Sequence, residues 1–229
     1  MTQDHISGPI SQKVKNLIIF DCDGVLVDSE ALAIAVDELV LADLGWSMGR
    51  DEIIARFVGR SEEHFVSVIE DHLGHTLPTN WADSYEHLYR ESFRQNLRPV
   101  AGIVEALDSI TFPICVASNG SHEKMQFTLG LTGLMPRFEG RIFSSSDVAR
   151  GKPAPDLFLH AASVLGYAPS DCVVVEDSLA GVQAALASGM KVIAYSGGIF
   201  PRGLINGNGV TIIDDMLDLP HTLETLIKL

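Results

Sequence analysis

Five short apolar runs punctuate the chain, at 17–20, 114–117, 172–175, 192–195 and 211–213, and none shows strict polar alternation. Unbroken apolarity over a few residues is the pattern of strands covered on both faces, as in a parallel sheet, because successive side chains point to opposite faces and both must stay dry. Helical signals lie between the runs. Ser121 stands where it caps a helix through Leu129. Pro155 suits the first turn of a helix reaching Leu165, with Gly166 just past its end. Ser178 caps a helix over 179–188, and Gly189 occupies the position that favours a left-handed residue. The alternation of strand and helix predicts an α/β fold with a doubly wound, Rossmann-like parallel sheet.

One stretch breaks the alternation. Between 31 and 97 no run reads as a strand, whereas 31–44, 51–73 and 81–95 read as helices with charged residues interspersed. The chain therefore divides into an α/β core of residues 1–30 and 98–229 and an all-helical insert of 31–97. An insert leaving the tip of the first strand is placed to act as a lid over a site there; the same helices can serve instead as an arm for dimer contact. The stretch 196–209 is rich in glycine but lacks dinucleotide-binding spacing, and reads as a loop.

Composition narrows the function. A formal charge of −14 and a pI near 4.8 argue against binding nucleic acid or anionic membranes, which requires basic patches. A small anionic substrate stays possible, since a metal and a lysine invert the local field. Cys22, Cys115 and Cys172 lie in or beside apolar runs, odd in number and widely spaced, so no disulfide framework is expected. Cys22 reads as a small buried hydrophobe rather than a nucleophile. Residues 1–15 lack an apolar secretory core, and no run has the length of a membrane span. A cytoplasmic protein is the expectation.

The candidate chemistry begins at Asp21-Cys22-Asp23-Gly24, directly after the run 17–20. Carboxylates two residues apart share one side of an extended chain, here at a strand tip, where α/β sheets bind ligands. Like charges so close require a proton or a cation, and Mg²⁺, a hard ion that prefers oxygen, is the simplest cation. The segment reads as a metal-assisted site, with one carboxylate free to attack and one to handle protons, or as an ordinary Asp/Gly turn. Three further segments bear on that choice. Ser118 and Asn119 follow the run 114–117, where a hydroxyl and backbone N–H groups before a helix suit an anion. Two prolines restrain the backbone around Lys152, whose ammonium near carboxylates neutralises phosphate charge and orients a nucleophile; the bland alternative is a loop lysine before a Pro-started helix. Glu176-Asp177-Ser178 puts acids at a third strand tip. Helix-dipole chemistry accounts for one acid and Ser178 but not for the coincidence with the first tip.

Taken in order, Asp-x-Asp-Gly-x-Leu-x-Asp-Ser at 21–29, Ser118, Lys-Pro-x-Pro at 152–155 and Glu-Asp-Ser at 176–178 resemble the haloacid dehalogenase superfamily of phosphotransferases. The position of the helical insert resembles the subgroup with a helical cap. The resemblance implies covalent catalysis with Mg²⁺ as cofactor. By it, Asp21 matches the nucleophile that forms an aspartyl phosphate, and Asp23 the general acid/base whose backbone carbonyl binds the metal. Ser118 matches the phosphate-binding hydroxyl, with Asn119 beside it in the substrate-binding set. Lys152 matches the family's lysine. Glu176 and Asp177 match the acidic metal-binding pair, Asp177 as the direct ligand, and Asp21 completes the metal set.

Dehalogenases and phosphonatases of this superfamily lack the second aspartate, so Asp23 implies phosphate-ester chemistry. Relatives of the β-phosphoglucomutase type carry a histidine four residues after the end of the first motif; here that residue is Ala33, which favours a phosphatase. Ser118-Asn119-Gly120, Lys124-Met125-Gln126 and the segment from Lys152 to His160 look similar to bacterial 6-phosphogluconate phosphatase-like proteins. A sugar or sugar-acid phosphate is thus the expected small-molecule partner, with no nucleic-acid, membrane or protein partner evident. Arg60, in Phe57-Val58-Gly59-Arg60, is the cap residue expected to contact a polar substrate, its alternative being a surface arginine at a helix end. His72 and His75 read as a solvated helix face. The reading from a different class is a non-catalytic binding protein on this fold, which absence of turnover on a broad phosphate-ester panel would favour.

Overall fold

The apolar runs pair side by side in one parallel sheet of six strands, ordered β3-β2-β1-β4-β5-β6. These are β1 (Leu17–Phe20), β2 (Ile114–Ser118), β3 (Ile142–Ser144), β4 (Cys172–Glu176), β5 (Lys191–Tyr195) and β6 (Val210–Ile213). The structure is a computed structural model describing residues 16–58, 60, 62–199 and 209–228. Ten helices are described: α1 (Glu30–Asp43), α2 (Arg50–Phe57), α3 (Glu62–Leu73), α4 (Trp81–Asn96), α5 (Ile103–Ser109), α6 (His122–Leu131), α7 (Met135–Phe138), α8 (Asp156–Leu165), α9 (Leu179–Ala187) and α10 (Leu219–Lys228).

The period of two along each strand sorts the side chains into two cores. Ile18, Phe20, Val116, Val173, Val175 and Ile193 face one way, and Leu129, Phe138, Leu219 and Leu223 of α6, α7 and α10 cover them. Leu17, Ile19, Cys115, Val174, Val192 and Ala194 face the other way, against Phe158 and Ala161 of α8 and Val182 and Ala185 of α9. A sheet covered on both faces needs apolar residues at every strand position, which is why the runs do not alternate. In the register, Phe20 lies opposite both Val116 and Val175. Asp21 and Glu176 come next, and Ser118 two residues past Val116, so the three gather at the carboxyl end of the sheet.

The helix ends follow the local signals. Ser121 accepts a hydrogen bond from the Lys124 N–H, and Ser178 accepts one from the Gly181 N–H. Gly166 ends α8 in the left-handed region. Strand β3 and helices α5, α7 and α10 were not legible in the sequence pattern; β3 is three residues long and ends in a buried serine.

Between β1 and β2 lie α1–α4 and α5, and among the described residues no strand interrupts α1–α4. The single helix expected over 51–73 is two helices, because Val58 turns extended (φ −65°, ψ 133°) and stops α2. Gly59 of the Arg60 segment lies outside the described residues. Ile34, Leu41, Met48, Ile53, Phe57 and Ile69 form a hydrophobic cluster of their own. Phe65 packs edge-on to Phe57, with ring centroids 4.6 Å apart. Phe93 and Leu97, at the far end of α4, belong to the sheet core instead.

Phe138 is fully buried and meets Phe20 edge-on, ring centroids 6.2 Å apart. Phe138→Ala should cost about 3–5 kcal/mol, since lost transfer energy and a cavity add. Urea unfolding checks this, and a loss under about 1 kcal/mol would show that the α7 side of the core repacks freely.

Candidate active site

Asp21 extends the sheet by one step: its N–H donates to the Val175 carbonyl at 2.9 Å, which fixes the side chain at the tip of β1. The chain then turns. The Gly24 N–H donates to the Val27 carbonyl at 2.9 Å, and Gly24 sits at φ +76°. A Cβ there would lie 2.1 Å from Asp177 Oδ2, so only glycine lets the turn pass so close to the second acidic segment. The turn aims Asp23 away from Asp21's partners. Ser29 Oγ donates to Asp23 Oδ1 at 2.5 Å, and Lys124 Nζ donates to Oδ2 at 2.8 Å.

Lys152 is buried, and its ammonium donates to Asp21 Oδ1 and to Glu176 Oε1, each at 2.6 Å. Asn119 holds the loop that presents it. The Lys152 N–H donates to Asn119 Oδ1 at 2.9 Å, and Asn119 Nδ2 donates to the Lys152 carbonyl at 3.1 Å. Glu176 is held just as firmly, because Oε2 accepts from the Asp177 N–H, the Ser178 N–H and Ser178 Oγ at 2.8–2.9 Å. Its approach to the start of α9 depends on Gly181, where a Cβ would lie 1.7 Å from Glu176 Oε1.

One oxygen each from Asp21, Glu176 and Asp177 lies within 4.8 Å of the others. Asp177 Oδ2 is buried and accepts no hydrogen bond from any described residue. An orphaned buried carboxylate oxygen, amid hard oxygen donors, is what a divalent cation such as Mg²⁺ satisfies, so these residues fit one. Glu176 already accepts four bonds, which leaves Asp177 and Asp21 as the freer donors. The Asp23 carboxylate, turned to Ser29 and Lys124, is not in this cluster.

Proton affinities follow from these surroundings. Burial pushes the Asp21 carboxyl up to about 7; Lys152 opposes that, while Glu176 and Asp23 add to it. Burial, with the charges of Asp23 and Asp21, pushes Glu30 up to about 8. Burial and the charges of Glu30, Glu176 and Asp21 raise Asp177 well above the ordinary range. Asp23 goes the other way: burial alone would raise it, but Lys124, Ser29 and Lys152 together lower it. Burial and the nearby aspartates hold the Cys22 thiol up, which makes it a poor nucleophile.

A cavity of about 610 Å³ lies over this cluster, lined by Asp21, Asp23, Lys152, Ser118, Asn119, Glu176, Asp177 and Arg60 together. Ser118 is buried at its floor, its Oγ accepting from the Gly120 N–H at 3.2 Å. Arg60 is exposed at its edge. His72 is elsewhere, stacked on Trp46 with centroids 3.7 Å apart. Lys124, Ser29, Glu30 and Asp37 also line the cavity, and sequence reasoning assigned them no role. Lys124 pairs with Asp23 across 101 residues of chain, a separation at which no local pattern signals the contact.

Residues 15–189 match the family of haloacid dehalogenase-like hydrolases. The chain is 31% identical over 208 residues to 6-phosphogluconate phosphatase of Escherichia coli K12, covering 89% of this chain and 92% of that protein. Among solved structures, it is similar to a conserved haloacid dehalogenase-like protein from Agrobacterium tumefaciens C58 (TM-score 0.79, 35% identity, 92% of this chain and 98% of the other). It is also similar to a haloacid dehalogenase family hydrolase from Deinococcus radiodurans R1 with bound phosphate and sodium (TM-score 0.71, 28% identity, 92% and 95%).

The acid cluster has a consequence for stability. A carboxyl whose folded value is raised contributes stability that is full below its ordinary value and lost as pH rises through the folded one. For Asp21 that rise runs from 3.8 to about 7, and for Glu30 from 4.5 to about 8. The metal-free protein should therefore melt at progressively lower temperature between about pH 5 and pH 8, and Mg²⁺ should restore more stability at the upper end. Calorimetry in EDTA and then in Mg²⁺ checks this; a melting temperature that is flat or climbs across that range contradicts it.

Proposed function

This chain belongs to the haloacid dehalogenase-like hydrolase family, and from that premise we propose that it is a Mg²⁺-dependent phosphatase acting on a small sugar or sugar-acid phosphate such as 6-phosphogluconate. The observation that carries the reading is the division of labour between two carboxylates at one strand tip. Asp21 is clamped by Lys152 beside the acidic cluster, while Asp23 stands apart on Ser29 and Lys124. The similarity to the Escherichia coli phosphatase supports the substrate class.

In this reading Asp21 attacks phosphorus in line and forms an aspartyl phosphate. Lys152 orients it and offsets charge on the transferring group. Ser118 and the N–H groups after β2 hold the phosphate oxygens, and Asn119 acts through Lys152, whose main chain it holds on both sides. A phosphate dianion beside Asp23 raises that group's proton affinity, so Asp23 takes up the proton that it then passes to the leaving oxygen. It next removes a proton from the water that cleaves the acyl phosphate. Asp21, Asp177 and the main-chain carbonyl of Asp23, with Glu176 behind them, would hold Mg²⁺, which when bound would supply positive charge that keeps Asp21 ionised and offsets the phosphoryl charge.

Residues 31–97 act as a cap, and Arg60 at the cavity edge contacts the polar end of the substrate. The separate hydrophobic cluster of α1–α3 supports the division into cap and core. Three buried free cysteines support a reducing, cytoplasmic setting.

Asp21→Asn should lower turnover by about 10⁴-fold or more, the scale of losing a nucleophile, without unfolding the protein. EDTA should abolish wild-type activity and Mg²⁺ should restore it. Activity surviving the substitution, once deamidation is excluded by mass spectrometry, removes Asp21 from the role.

Ala33 lines the cavity, and its methyl group can neither hold nor relay a proton. Phosphate release should therefore match substrate consumption one for one. Incubation with β-glucose 1-phosphate and catalytic 1,6-bisphosphate tests this: rapid formation of glucose 6-phosphate with little free phosphate would favour a mutase.

A further inference from the structure

The phosphatase reading leaves the far wall of the cavity without a task. That wall is α1 and α4. Glu30, Ala33 and Asp37 line the cavity from one face of α1, as the spacing of three and four residues requires. Along this face the acid near the metal cluster comes first, then a methyl group that leaves room, then a carboxylate about 6 Å beyond that methyl. A leaving group that starts at Asp23 and runs along α1 meets Asp37 next.

Asp37 is half-buried, and among the described residues it accepts a single hydrogen bond, from Tyr89 Oη at 2.5 Å. Among the described residues it has no cationic partner within salt-bridge distance. Arg90, on the same wall, is taken by Glu86 and by Glu123 of α6. A carboxylate with one neutral donor loses solvation when ligand covers it, and is stable there only if the ligand brings donors. Lys124 reaches Asp37 electrostatically, so a cationic ligand would meet a like charge, and an anionic one would meet Asp37 itself. Neutral hydroxyls suffer neither penalty. Burial lifts the Asp37 carboxyl to about 6 against the pull of Tyr89 and Lys124, so above neutrality it is ionised and purely an acceptor.

We propose that Asp37, steadied by Tyr89, is a specificity-determining residue that accepts hydrogen bonds from the hydroxyls of a polyhydroxylated leaving group. The inference rests on the phosphatase reading and narrows its substrate class to esters whose carbon chain bears hydroxyls near the phosphate.

The test compares kcat/KM for glucitol 6-phosphate and hexyl phosphate, which have the same chain length, in wild type, Asp37→Leu, Asp37→Asn and Tyr89→Phe. Para-nitrophenyl phosphate serves as a general phosphatase substrate. Wild type should prefer glucitol 6-phosphate over hexyl phosphate. Asp37→Leu should lower that ratio about ten- to one-hundredfold, the worth of a hydrogen bond to a charged acceptor. Tyr89→Phe should lower it by less, about two- to tenfold. If Asp37→Leu does not fold, the isosteric Asp37→Asn carries the test through the same ratio. Wild type without preference for the hydroxylated ester, or a ratio unchanged in the folded Asp37 variants, overturns the inference and leaves the phosphatase reading standing. Failure to hydrolyse all three esters removes both.

Discussion

One buried ammonium organises the site. Lys152 joins Asp21 of the first segment to Glu176 of the last, two acids 155 residues apart in the chain. Burying three charges is costly, and the cost is met only where geometry is close and the remaining lone pairs are filled. Each partner is accordingly held from behind: Lys152 by Asn119, Glu176 by the start of α9, and Asp21 by the β1–β4 ladder. The β1–β4 register brings Asp21 and Glu176 together, and Asn119, just after β2, holds the loop that presents Lys152 to both, so site assembly depends on sheet pairing. Gly24 and Gly181 are the concessions that packing makes to this cluster, since a side chain at either would strike a carboxylate.

The same arrangement separates two aspartates that are almost adjacent in sequence. Burial among acids raises the proton affinity of Asp21, and Lys124 with Ser29 lowers that of Asp23. Opposed environments for neighbouring carboxylates are how one site supports both nucleophilic and proton-handling chemistry. The acid surplus left around Lys152 suits the cluster of Asp21, Glu176 and Asp177 to a divalent cation. Across the cavity, α4 meets α6 through Arg90, which pairs with Glu123 and lies 4.9 Å over the ring of Phe127. Exposed ion pairs of this kind contribute little stability; the firmer tie of α4 to the sheet is Phe93 and Leu97 in the main core.

Much of this was legible in the sequence, for reasons that are local. A strand covered on both faces must be apolar throughout, so five of the six strands were visible; β3, three residues ending in serine, gave too short a signal. Ser121, Ser178 and Gly166 marked helix ends because capping is a contact between near neighbours. The break between α2 and α3 was missed, since charged residues continue across it and hide the extended residue at Val58.

The eight residues singled out for the site line one cavity. Seven of them stand at or just past a strand tip or before a helix, positions that the sequence marks by itself, whereas Arg60 follows the break after α2, which it did not mark. Tertiary structure alone decided their partners. That Asn119 grips the main chain of Lys152, that Lys124 reaches Asp23, and that Asp37 faces the same cavity as Asp21 depend on contacts between residues far apart in the chain. Periodicity and capping act over a few residues and so are written in the sequence. Hydrogen bonds and ion pairs across a sheet edge depend on the register and the packed distance between elements, which exist only once the chain has folded.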